Sequence, residues 1–249
     1  MDMSLTWLLV AFFVIAFFYS MVGFGGGSSY LAVLAMTGLA YQTMAPIALI
    51  CNLIVAGCGF IYFAREGHFG LKKVLPFIIL SIPMAFWGGS VHVSKKVFFL
   101  LLGLSLFIAA IRMLVPDDFF DRPREVSSKN TWIIGLPCGA ILGFLSGLVG
   151  IGGGIFLSPL LLFLRWVNIK QAAACASFFI IVNSLSGLLG QLHKTPLQTH
   201  YLLPLGVAVF VGGQMGSRIG SFHLPKLQLQ RVLAMLIALV AIKLIVSVS

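Results

Sequence analysis

Charge is scarce in this chain. Only 9% of its 249 residues are Asp, Glu, Lys or Arg, against roughly 25% in a soluble domain, so an ordinary water-soluble fold is excluded. Acidic residues are the scarcest, six in all. Asp2 stands at the start, Glu66 follows a long apolar run, and the rest fall between residues 116 and 131. No carboxylate is therefore placed inside an apolar stretch. Cation pathways and pumps usually need Asp or Glu there, which argues against cation transport and a carboxylate proton relay. Other signatures are missing too. There is no GxxxxGK nucleotide loop and no HExxH pair. Ser146-Gly147 is preceded by Phe144-Leu145, unlike the glycine-flanked serine of a nucleophile motif. The four cysteines form no CxxC pair. They sit in apolar stretches and read as small packing residues. No catalytic residue, metal site or cofactor is expected.

Hydrophobic length is what the chain has. Residues 3–64 carry no charge, and uncharged runs also cover 74–94, 97–111, 130–164, 171–193 and 195–217. A membrane-spanning helix needs about 20 mainly apolar residues. With 60% hydrophobic residues and a mean hydropathy of +1.09, the chain reads as an all-α polytopic membrane protein. Its multi-pass location is the plasma membrane, in bacteria the inner membrane. The net charge of +10 comes from basic residues spread thinly between apolar segments, as in loops that follow the positive-inside rule. No basic stripe is interleaved with aromatics, so nucleic acid is not an expected partner. The Met-Asp start lacks the basic region of a signal peptide, and the first apolar segment is read as retained.

An internal repeat divides the chain. Residues 22–27 read VGFGGG and residues 149–154 read VGIGGG. Pro76 leads to Gly88-Gly89 as Pro204 leads to Gly212-Gly213, with His92 and His223 beyond. We therefore expect a first membrane repeat over 1–115, a charged linker over 116–131 and a second repeat over 132–249. Each half contains about four spanning helices and one short apolar segment after its glycines, 28–40 and 155–167. A helix of that length reaches about 20 Å, against a hydrocarbon core of roughly 30 Å, so these are expected half-helices. If the half-helices do not change the side of the membrane, the repeats are parallel and Lys+Arg divide nine to seven between faces. If they do, the repeats are inverted and the division is twelve to four, the four being Lys95, Lys96, Lys194 and Lys243. The charge bias favours inversion, with the linker in the cytoplasm.

Three successive glycines are poor helix, at about 1 kcal/mol each relative to Ala. Gly25, Gly26 and Gly27, and likewise Gly152, Gly153 and Gly154, should break the helix within the membrane and expose free N–H groups at the start of a half-helix. Such N-termini bind anions, and paired broken helices point to a transporter's binding site. The other reading is close helix packing through small residues. GFGGG in the first half and GIGGGIFLSP at 150–159 resemble the paired signatures of the TauE/SafE sulfite exporter family, and the resemblance extends over nearly the whole chain. It implies transport of small sulfur-containing anions such as sulfite, sulfoacetate or related organosulfonates. Where the second copy has Ile155, Phe156 and Pro159, the first has Ser28, Ser29 and Ala32, which adds hydroxyl donors.

Further donors at membrane depth fit around the glycines. Asn52 and Asn183 each sit in the helix after the half-helix, the second with Ser177, Ser184 and Ser186. Their alternative role is hydrogen bonding between helices. Arg218, in GGQMGSRIG, is the cation most able to reach the interior, or else it snorkels. Arg112 and Lys243 are read as snorkelling, and His92, His193, His200 and His223 as interfacial. The expected partners are a small-molecule anion and the lipid bilayer, with the oligomeric state open. Three rivals remain: a passive anion channel, a non-transporting membrane subunit and an intramembrane enzyme. Gly26→Ala and Gly153→Ala are each expected to abolish most transport while leaving expression and thermal stability closer to those of the unaltered protein.

Overall fold

A computed structural model describes residues 3–114, 128–194, 201–222 and Ile242. The described elements are α-helices: α1 (Met3–Met21), α2 (Gly27–Ala35), α3 (Tyr41–Arg65), α4 (Leu71–Ser90), α5 (Lys95–Leu114), α6 (Ser128–Val149), α7 (Gly154–Phe163), α8 (Ile169–Leu192) and α9 (Leu202–Phe222). Residues 116–127 of the linker, His200, His223 and the expected last segment at 232–248, Ile242 apart, lie outside the described residues. Five helices, α3, α4, α6, α8 and α9, are long and apolar enough to cross a membrane. Their outer faces are apolar, with Ile79, Phe86 and Trp87 on α4 and Leu203, Val207 and Phe210 on α9 exposed. Ser81, Ser177, Ser184, Asn52 and Asn183, within the helices, are instead buried. Such a surface would aggregate in water and suits lipid. The fold is all-α and polytopic.

The first glycine of each cluster ends a long helix. At Gly23, φ is 76°, and Phe24 N–H bonds back to Tyr19 O at 2.9 Å while Gly23 N–H reaches Ser20 O at 3.1 Å. This left-handed helix stop favours a residue without a Cβ. Gly150 does the same for α6, its N–H on Ser146 O at 2.9 Å. The short helices are shorter than the expected 13 residues: α2 has 9 and α7 has 10. Their ends explain it. A turn in which Thr37 N–H and Oγ1 both reach Leu34 O precedes left-handed Gly38. After α7, Arg165 takes φ 56°, and Trp166 N–H closes on Leu161 O at 3.1 Å.

The short helix doubles back. Phe12 of α1 stacks on Tyr30 of α2 at 4.6 Å between ring centres, while Tyr19, later in α1, bonds to Ser29, earlier in α2. Thus α2 runs antiparallel to α1, and the chain re-enters from the break.

Contacts between the halves come in matching pairs. Helix α4 packs on α6, and α9, its counterpart, packs on α1. Likewise α4 packs on α8 and α9 on α3. The central pair, α3 and α8, are counterparts of each other and run antiparallel. Gly59 lies against Ser177, whereas Phe63, one turn on, packs with Ala173 and Ala174.

Two glycine ridges set the closest approaches. Gly135, Gly139, Gly143 and Gly147 recur every fourth residue of α6 and so share one face. A Cβ on the last three would strike the carbonyl oxygens of Phe77, Ser81 and Ala85 in α4. Gly212, Gly216 and Gly220 of α9 face the carbonyls of Phe13, Phe17 and Met21 in the same way. Both contacts are parallel, and both let backbones approach as small-residue helix pairs do in membranes. This four-residue spacing went unread in the sequence, where attention fell on the consecutive glycines.

Candidate functional site

The two breaks converge on one side chain. Asn52, in the middle of α3 and fully buried, accepts a hydrogen bond from Gly27 N–H at 2.8 Å through Oδ1. Its Nδ2 donates to Ile151 O at 2.7 Å. A Cβ on Gly25, Gly27 or Gly152 would collide with it. Asn52 thus caps α2 from a neighbouring helix and ties the first break to the second. Its carbonyl oxygen and one of its two amide N–H groups hold the two chain breaks.

Asn183 is not its partner by symmetry. Gly23 rests on Ala173 and Gly150 on Ala45, and counting from that matched pair puts Ile180 opposite Asn52. The contacts agree, since Gly27 lies against Asn52 and Gly154 against Ile180. Asn183 stands elsewhere on α8, its Nδ2 donating to Phe179 O at 2.9 Å. Its Oδ1 is buried without a partner, and a lone acceptor repels an anion. The two asparagines therefore do different work.

The remaining expected residues separate into spent and unspent donors. Ser177 Oγ bonds to Gly23 O at 2.7 Å and Ala173 O at 2.9 Å, fastening α8 to the first break. Ser29 Oγ is paired with Tyr19 Oη at 2.7 Å. Ser28 Oγ is buried and has no partner. Arg218 is exposed on α9, near that helix's end. Four residues join Ser28 in holding unpartnered buried hydroxyls: Tyr30, Ser146, Ser184 and Ser217; of these only Ser184 was counted among the donors read from the sequence. Tyr30 borders Gly26, Ser184 borders Gly152 and Ser146 borders Gly153. Ser146 and Tyr19 close α6 and α1 at equivalent places, a relation that the repeat alone makes legible.

The half-helix starts differ in their capping. Gly26 and Gly153 are both left-handed, at φ 85° and 77°. Asn52 occupies Gly27 N–H, and the Ser28 and Ser29 amides meet no acceptor among the described residues. At α7 the place of Asn52 is taken by apolar Ile180, so Gly154 and Ile155 N–H are left without an acceptor among the described residues. The neighbourhood thus combines free amide and hydroxyl donors with two positive helix ends. Among the described residues, no carboxylate stands near, since the only acidic side chain, Glu66, pairs with His68 at 3.6 Å beyond the end of α3.

Comparison with known proteins decides the family, for the model described as "Sulfite exporter TauE/SafE" matches residues 8–244. The chain belongs to the TauE/SafE family. It is 34% identical to the "Probable membrane transporter protein y4hK" of Sinorhizobium fredii, across 98% of this chain and 100% of the relative. It is 26% identical to the "Probable membrane transporter protein YunE" of Bacillus subtilis, over 80% of this chain and 82% of the other. A similar likeness, 26%, links it to the "Probable membrane transporter protein MJ0441" of Methanocaldococcus jannaschii, over 74% and 71%. This TauE/SafE protein is a multi-pass membrane transporter, embedded in lipid and acting on a small molecule.

Proposed function

We propose that this TauE/SafE protein carries small sulfur-containing oxyanions, with sulfite, sulfoacetate and related organosulfonates as the class. The anion is held between the two glycine-broken half-helices. One observation carries the reading: unpartnered hydroxyls of Ser28, Tyr30, Ser146 and Ser184 are buried around two helix N-termini that meet across Asn52. A buried donor without a partner costs about 1–3 kcal/mol, a cost that an acceptor-only ligand relieves. Neutral donors suit an anion that must also leave, because no fixed counter-ion retains it. Burial of residues 23–32 and 149–155 favours an occluded carrier over an open pore.

The same reading makes the halves inverted repeats in the membrane. Support comes from the antiparallel packing of α3 on its counterpart α8, and from charge. Arg65, Lys72, Lys73, Arg165 and Lys170 gather at one end of the bundle, with Lys95, Lys96 and Lys194 at the other. The richer end is assigned to the cytoplasm. In a cysteine-free background, a cysteine at Ser94 should react with an impermeant maleimide in intact cells and one at Glu66 should not. Reaction of both would defeat the topology. Counterflow of labelled sulfite in proteoliposomes tests the function. Accumulation that unlabelled sulfite drives is expected, and its absence for sulfite and sulfoacetate alike would refute the substrate class.

A further inference from the structure

A cavity of about 280 Å³ opens at the end of the bundle where α3 begins and α8 ends, lined by Gln42, Ala45, His92, Leu148, Gln191 and Lys194 among others. Its inner wall reaches the second break, since Ala45 packs directly on Gly150. Gln191 Nε2 donates to the carbonyls of Gly147 and Leu148, which fixes the end of α6 as that wall. Lys194 is half-buried and donates to Val91 O at 2.8 Å. A carbonyl satisfies one N–H of an ammonium that has three and leaves its charge uncompensated. No acidic side chain faces it among the described residues.

We propose that this cavity is an entry site that captures the oxyanion before it reaches the break beside Gly150, with Lys194 as its ionic anchor. The proposal rests on the anion reading above. The space holds a small oxyanion together with several waters, each of which takes about 30 Å³ in the liquid. Gln42 and His92, both exposed at the mouth, add donors that such an anion meets on the way in. Burial lowers the Lys194 ammonium below its ordinary pKa, and an arriving negative charge would offset that cost. Two sites are then arranged in sequence: a charged one near the surface, where charge attracts, and a neutral one inside, where charge would trap.

Labelled sulfite transport into proteoliposomes tests this. Lys194→Gln keeps a donor for Val91 O and loses the charge, and it should raise KM about tenfold with kcat within about twofold. Lys194→Arg should restore KM. Gln42→Glu, at an exposed position where folding is not at risk, should raise KM by repulsion. An unchanged KM in both Lys194→Gln and Gln42→Glu would overturn the proposal. If the unaltered protein moves no sulfite, the substrate reading fails separately. The cavity is then judged by calorimetric titration of the purified protein with sodium sulfite and sodium sulfate. Binding weakened about tenfold by Lys194→Gln supports it, whereas no binding, or equal binding by the variant, overturns it.

Discussion

Asn52→Leu is the perturbation whose consequence follows most directly from the structure. The substitution roughly keeps the volume and removes both of the amide's bonds, to Gly27 N–H at 2.8 Å and to Ile151 O at 2.7 Å. Both backbone partners are fully enclosed, so water does not replace Asn52. Each group left unsatisfied costs about 1–3 kcal/mol, which gives about 2–6 kcal/mol for the pair. In a chain of this size each kcal/mol lowers the melting temperature by roughly 2–4 °C, so the fall should be at least about 4 °C. Thermal unfolding of the purified protein in detergent, followed by tryptophan fluorescence, measures it. Ile180→Val is the control at the related position. It loses only packing, about 0.5–1.5 kcal/mol, and should leave transport intact while Asn52→Leu abolishes it. A melting temperature for Asn52→Leu within about 1 °C of the unaltered protein would refute the bridging role.

Other substitutions probe separate parts of the argument. Gly26→Ala and Gly153→Ala should both lower the melting temperature clearly, because each residue is left-handed, at about 1–2 kcal/mol for a side chain. Each added Cβ also meets a neighbour, Ile15 Cγ2 at 2.9 Å or Phe179 Cε1 at 2.8 Å. This corrects the expectation of near-normal stability, since the glycines meet protein as well as any anion. Ser28→Ala should raise the stability of the ligand-free protein by about 1–3 kcal/mol, because its buried hydroxyl has no partner to lose. Its KM for sulfite should rise tenfold or more, as a hydrogen bond to a charge contributes about 1.5–3 kcal/mol. Gly143→Ala should separate α4 from α6, at about 1–3 kcal/mol, and an unchanged melting temperature would show that the ridge is not a tight contact.

The sequence by itself determined the class of fold and the place of the breaks, because both depend on local chain properties. Apolar length sets which segments become spanning helices, and consecutive glycines stop a helix wherever they occur. The repeated glycine motif was likewise legible, and Asn52 and Ser28 both stand beside the first break. Only the tertiary structure decided which donors are spent. Asn52 and Asn183 look equivalent along the chain, yet one bridges both breaks and the other bonds within its own helix. The register between α3 and α8 puts Ile180, not Asn183, opposite Asn52. No linear pattern states that register, because it is set by how Ala45 and Ala173 seat against Gly150 and Gly23. Tyr30 and Ser146 were ordinary polar residues, and Ser184 one donor among several, until packing left their hydroxyls unpartnered beside the glycines. Arg218, conspicuous as an intramembrane cation, proved exposed, and Lys194 acquired its cavity from the ends of helices far apart in sequence. Helices follow from neighbours along the chain, whereas hydrogen-bond satisfaction depends on neighbours in space, and the latter decides which polar groups remain free to meet a substrate.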